Sequence, residues 1–189
     1  NWNGTNITGG SIEVMKQNVK MINAGEDGEI RIGFVGSAMQ NVIPDRLVKM
    51  HDTFPKIHAT LDELSNKSQL ESIQKDELDI GFVRLTRTPK GIKKQTVFDD
   101  TFSIVLPKDH KLNTRNFKTV KQLKDEDFIL FSSDYSSEYF EKIISICEDQ
   151  GFTPNVSHRS IHAQTIFKLV ESNLGVAIIP SSFKHGFDL

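Results

Sequence analysis

The chain has 189 residues, 25 acidic against 23 basic side chains (net −2), one cysteine and 37% hydrophobic residues. That length fits one domain or two small lobes with a real core, and a lone cysteine closes no internal disulfide, which suits a reducing, cytoplasmic setting. No apolar run approaches the ~20 residues of a membrane span, no secretory pattern opens the chain, and near-neutral charge speaks against this segment holding nucleic acid alone.

From Ser11 to about Asn23, residues Ile12, Met15, Val19 and Ile22 recur at spacings of three and four, which predicts a helix with a one-sided apolar seam. Ala24 to Gly28 breaks it as a linker. Ile30–Val35 is a β-type run, and Gly36-Ser37 opens a helix with Ile43, Leu47, Val48, His51 and Phe54 on one face. Pro44 is tolerable only near that helix's first turn, and Pro55 ends it. Ile57–Leu61 reads as the next strand, Asn66 or Ser68 as the cap of a helix carrying Leu70 and Ile73, and Asp79–Arg84 as a third strand. This β-α-β-α-β order is the mark of a parallel sheet with crossover helices.

Thr96–Phe98 and Thr101–Leu106 flank an Asp99-Asp100 turn and read as adjacent extended segments. The Lys-rich stretch from Pro107 to Lys118 reads as a solvated loop. Alternation resumes with strand Phe128–Phe131, a loop from Ser132 to Ser137, and a helix with Tyr139, Phe140, Ile143, Ile144 and Cys147 on one face. Strand Asn155–Ser157, a helix with Ala163, Ile166, Phe167 and Val170 inward, and strand Val176–Ile179 complete the pattern. The expectation is an α/β protein of two Rossmann-like lobes joined near residues 98–101, with a ligand cleft between them.

In open α/β sheets, ligands bind beyond the carboxyl ends of strands, where helix N-termini present unpaired N–H groups. Small polar residues mark several such junctions: Gly36-Ser37, Ser65 to Ser68, Ser132-Ser133 with Ser136-Ser137, and Ser160 to Thr165. Helix capping is the ordinary role of each, and their convergence on one cleft carries the functional reading. Arg84 follows an apolar strand and offers a fixed charge to a carboxylate, against the plain alternative of a surface salt bridge. There is no Gly-x-Ser-x-Gly elbow, His-Glu-x-x-His or P-loop, the six histidines lack metal spacing, and Cys147 lies on an apolar stripe. No catalytic or metal-ligating set is expected, and no cofactor. The cleft is read as binding its ligand without turning it over.

The order of elements and four motifs resemble the effector-binding domain of LysR-type bacterial transcription regulators, over about residues 11–185. The matching stretches are Gly28–Ser37, Asp45–Pro55, Gln74–Val83 and Leu169–Pro180. Gln74–Val83 resembles the family's "Leu-x-x-Gly-x-Leu-Asp-hydrophobic" signature, with Asp76 where Gly is usual. The resemblance implies two lobes akin to type 2 periplasmic binding proteins and a small effector in the cleft. Carried over by position, Ser37 and Ala38 would meet the effector's carboxylate. Asn66 stands where many members have Thr, Phe131, Ser132 and Ser133 would line the second lobe, and Gln164 and Thr165 would open its last helix. Arg84 matches an Arg of members responding to aromatic-acid metabolites, which favours an anionic effector and keeps aromatic acids among the candidates.

The same resemblance divides the chain into residues 1–27 (a leading remnant and the end of the dimerising linker helix), 28–98 (lobe I), 99–180 (lobe II) and 181–189 (the start of a return to lobe I). Ile7-Thr8-Gly9-Gly10 faintly resembles the family's "Leu-Thr-x-Ala-Gly" before that helix. It implies a homodimer or homotetramer without membrane contact, which touches DNA only through a winged helix-turn-helix absent from this segment. The strand and helix that normally follow the Pro180 motif are also absent here, so the first sheet is expected to expose an edge if nothing replaces them. The rival reading is a solute-binding protein of a transport system with the same fold.

Overall fold

The computed structural model describes residues 6–9, 28–85 and 89–185. The expected linker helix at 11–23 and the last four residues lie outside the described residues. The chain divides into two compact units, unit 1 comprising Asn1–Thr101 with Ser182–Leu189 and unit 2 comprising Phe102–Ser181. The chain therefore passes between them twice, at residues 101/102 and 181/182.

Unit 1 is built on a five-stranded sheet. Its strands are β1 (Asn6–Gly9), β2 (Gly28–Phe34), β3 (Ile57–Glu63), β4 (Ile80–Arg84) and β5 (Gln95–Asp99), in the order β3-β2-β4-β1-β5. β2 runs parallel to both β3 and β4, in a register that pairs Gly33 with Gly81 and Phe34 with Phe82. Every residue of β4 is buried, as expected of a strand covered on both faces, whereas β3 alternates as an edge strand does. β1 lies antiparallel between β4 and β5. The condition on which an open edge was expected is not met here: Asn6–Gly9, read as a stretch ahead of the linker helix, takes up the hydrogen-bonding row of β4 that faces away from β2.

The helical region after β2 is two helices where the sequence pattern suggested one. α1 (Gly36–Asn41) stops at Val42, and α2 (Ile43–Thr53) starts with Pro44 in its first turn. A proline within a continuous helix would remove one hydrogen bond and clash with the preceding turn. The buried face of α2 also differs from expectation: Ile43 and Met50 point inward, while Val48 is 60% exposed and Phe54 38%. In α3 (Asn66–Gln74) the N-cap is Ser65, whose Oγ accepts from the Ser68 N–H at 3.1 Å. Asp76, at the family's glycine position, has φ of 58°, a left-handed conformation at which glycine is free of strain.

Two facing glycines let α3 approach the sheet. A Cβ at Gly33 would lie 2.6 Å from Leu78 Cδ1 and 2.9 Å from Gln69 Cγ, and one at Gly81 would lie 3.0 Å from Gln69 Oε1. Gln69 is fully buried and donates through Nε2 to the Leu64 carbonyl at 2.9 Å.

Unit 2 contains β6 (Phe102–Val105), β7 (Asp127–Phe131), β8 (Asn155–Ser160) and β9 (Ala177–Pro180), with helices α4 (Ser137–Glu148) and α5 (Ala163–Glu171). β6 pairs antiparallel with β9, and β7 parallel with β8. β7 is stitched beside the start of β9 by Ile129 N to Val176 O and Val176 N to Asp127 O, both 2.8 Å. Gly175, with φ of 147°, makes that approach possible, since a Cβ there would lie 2.5 Å from the Asp127 carbonyl. β5 and β6, expected to lie side by side, belong to different sheets.

The unit 2 core is almost wholly apolar. α4 buries Tyr139, Ile143, Ile146 and Cys147, and α5 buries Ala163, Ile166, Phe167 and Val170. Phe140 and Ile144, expected inward, are half-buried, and Arg159 lies over the Phe140 ring at 5.7 Å. The Tyr139 ring meets Phe131 edge-on at 5.2 Å, and its hydroxyl donates to the Ile178 carbonyl.

Candidate functional site

Buried polar side chains collect at the carboxyl end of β4 in unit 1. Among the described residues, Ser37, Asn66, Gln69, Arg84, Asp100, Ser136 and Ser182 are the buried polar set, and all but Ser136 belong to unit 1. Arg84 is the last residue of β4 and 4% exposed. A guanidinium is tolerated at that depth only with an anion and hydrogen-bond acceptors around it.

Three neighbours meet that demand or fix Arg84 in place. Asn66, at the start of α3, clamps the Arg84 backbone at two points: its Nδ2 donates to the Arg84 carbonyl at 2.6 Å, and its Oδ1 accepts the Arg84 N–H at 3.1 Å. Arg84 Nη2 donates to Ser37 Oγ at 3.3 Å and reaches Asp100 Oδ2 at 3.5 Å. Asp100 Oδ1 in turn accepts the Thr101 and Ser182 N–H groups at 2.9 and 3.1 Å. The Ser182 hydroxyl, within the same neighbourhood, is buried without a hydrogen-bond partner among the described residues.

This geometry gives three of the sequence-derived residues distinct parts. Arg84 takes part in an ion pair, as the plain reading held, but a buried one, with both side chains at most 5% exposed. Asn66 spends both ends of its amide on the β4 backbone. Ser37 accepts from a group that has no acceptor capacity, so its own proton is left to donate elsewhere. Ala38, beside it in α1, is fully buried. Asp100 and Ser182 escaped the sequence reading. Asp100 was taken for part of a turn, and the signal that marks it is physical: an arginine closing an all-apolar strand requires a carboxylate nearby.

The remaining sequence-derived residues lie in unit 2, at the carboxyl ends of β7 and β8. Phe131 is buried, whereas Ser132 and Ser133 are half-buried. The Ser132 N–H donates to the Ser160 carbonyl at 2.9 Å, which draws the ends of the two strands together. Gln164 and Thr165 are exposed in the first turn of α5.

Several ionisable groups outside this cluster are shifted by burial or by ion-pair partners. Burial pushes the Asp79 carboxyl up, but hydrogen bonds from the Arg31 side chain and backbone outweigh this and hold it below the ordinary value. Glu126 is held low chiefly by the hydrogen bond from Lys111. Desolvation pushes the Cys147 thiol up to about 11, far from the depressed values of reactive cysteines. Among the described residues, no group of three or more His, Cys, Asp or Glu is placed to hold a metal ion, and no helix is long and apolar enough to cross a membrane.

Comparison with known proteins places this geometry in a family. The family described as LysR substrate binding domain matches residues 23–186. The chain is 30% identical over 165 residues to the HTH-type transcriptional regulator AlsR of Bacillus subtilis, covering 87% of this chain and 55% of that protein. It is 27% identical over 161 residues to the regulator BenM of Acinetobacter baylyi, covering 84% of this chain and 53% of that one. The structure of the BenM effector binding domain with its effector benzoate superimposes with a TM-score of 0.76 at 24% identity, over 87% of this chain and 75% of that one. The chain thus spans little more than half the length of these curated relatives, and their fold matches the mixed α/β architecture described above. With a family match covering most of its length, the chain belongs to the LysR substrate-binding domain family.

Proposed function

We propose that the chain senses a small carboxylate metabolite on behalf of a LysR-type transcription regulator, with unit 1 supplying Ser37 as a donor to the carboxylate. The observation that carries this reading is the direction of the Arg84 to Ser37 hydrogen bond. The guanidinium can only donate, so the Ser37 hydroxyl proton is directed to a second acceptor, and a carboxylate is an acceptor only. Arg84 adds positive charge behind the hydroxyl, tempered by Asp100. The transport-protein reading is not favoured, because the relatives are transcriptional regulators. The role carries no catalysis: the ligand acts by its different affinity for two conformations, which shifts their populations. DNA contact, homo-oligomer formation and a cytoplasmic location follow from the same reading, with DNA bound by a segment other than this one.

Calorimetric titration tests it with benzoate, the effector of the BenM domain, followed by a panel of aliphatic and aromatic carboxylates and their amides. A carboxylate should bind, its amide should bind more weakly, and Ser37→Ala should weaken the carboxylate about tenfold, the loss typical of a charge-assisted hydrogen bond. Equal binding of acid and amide, or full affinity in Ser37→Ala, would sink the assignment.

A further inference from the structure

Asp100 does more than neutralise Arg84. Its Oδ1 accepts the N–H of Thr101, the last residue of unit 1 before the first chain crossing, and the N–H of Ser182, the first residue of unit 1 after the second. Residues 101 and 182 are remote in sequence, yet one carboxylate oxygen holds both. Ser182 sits in the opening turn of the short 3-10 segment Ser181–His185, where backbone N–H groups lack partners within the helix, so the carboxylate also caps that turn. The second oxygen faces Arg84 at 3.5 Å, and Arg84 is fixed by Asn66 from behind. Asp100 and Ser182 are 3% and 2% exposed, so water offers no ready substitute acceptor for the Ser182 N–H.

We infer that Asp100 is a clasp that ties both chain crossings to unit 1 and, through Arg84, couples them to the Ser37 end of the buried cluster. A change in the Arg84 contact is then felt at both crossings at once. This inference does not depend on which effector is bound, because it rests on hydrogen bonds among the chain's own residues.

Residue-resolved amide hydrogen exchange on the full chain tests it without any effector, with Ile32 and Ile80 reporting on unit 1 and Phe128 on unit 2. In the double variant Arg84→Met with Asp100→Leu, which removes the acceptor without leaving an unpaired buried charge, the Thr101 and Ser182 amides should exchange at least about tenfold faster while the three reporters change by a much smaller factor. Asp100→Asn retains a carbonyl acceptor and should keep most of the protection at those amides. Arg84→Lys, which keeps the charge but shortens the reach, should speed exchange at Ser182 by a smaller factor. Unchanged exchange at Thr101 and Ser182 in that double variant would overturn the clasp, and so would acceleration shared equally by Ile32 and Ile80, which would make Asp100 a general stabiliser of unit 1. Failure of Arg84→Lys to move Ser182 would overturn the coupling.

Discussion

The two units are made of similar strands and helices but fill their interiors differently. Unit 2 packs Phe128, Ile129, Leu130, Ile143, Ile166 and Ile178 at no more than 2% exposure, and its buried polar set among the described residues is Ser136. Unit 1 keeps an apolar centre around Ile30, Ile32, Ile43 and Ile80 but leads it into a polar cluster at the end of β4. An apolar core needs volume and shape, whereas a buried ion pair needs every partner present, since a missing one leaves a charge without solvent or counter-ion. Unit 2 should therefore fail by degrees and unit 1 by the loss of single partners.

The sharpest break of that contrast is Arg84→Met, which leaves Asp100 as a buried unpaired carboxylate. Chemical denaturation should show a loss of about 3–5 kcal/mol, and the double variant Arg84→Met with Asp100→Leu should recover much of it. If the double variant is no better than the single, the cluster is not held by charge balance. Next in size is Ile166→Ala in unit 2, which opens a cavity and should cost about 2–4 kcal/mol, with no such rescue at a second position. Asn66→Ala should cost about 1–3 kcal/mol by removing both hydrogen bonds that its amide makes to the Arg84 backbone, whereas Asn66→Asp should retain the acceptor half of the clamp.

Acid acts on both units by one mechanism and sharpens the comparison from the other side. Asp79 in unit 1 and Glu126 in unit 2 both have carboxyls held below their ordinary values. Their contribution to stability is therefore complete above about pH 4–5 and is lost as the pH falls through the lowered folded-state values. Both pairs are partly solvated, so each effect is small. Asp79→Asn and Glu126→Gln should each flatten the acid limb of the stability profile, and an unchanged limb would remove the pair from the account. The smallest expected effect is chemical: Cys147 is buried with a raised pKa, so a thiol reagent at pH 8 should label it only as fast as unit 2 unfolds.

The apolar architecture was legible because period and burial coincide. The inward stripe of α5 was read from spacing alone, and all four of its residues are buried. The stripe of α2 was misread because Val48 and Phe54 suit a core equally well by type, and the break at Val42 turned the helix to face the sheet with Ile43 and Met50. Likewise β5 and β6 looked like neighbours because proximity in sequence carries no record of which sheet a strand joins. For the polar cluster, Ser37, Asn66 and Arg84 stood out as small or charged groups at strand ends. Asp100 did not, because its significance lies in Ser182, which is 82 residues away, and no local pattern links the two.

The glycine pair beneath α3 has a consequence for tolerance. Gln69 and Asn66 lie three residues apart and so share one face of the helix, and how deep Gln69 sinks between Gly33 and Gly81 decides how far Asn66 reaches toward β4. The two glycines act as a depth gauge, machined into adjacent strands in register, that sets the Asn66 clamp to 2.6 and 3.1 Å. A methyl group at either position would shim the helix outward. It would move Arg84 without touching it, through a change made entirely in the packing.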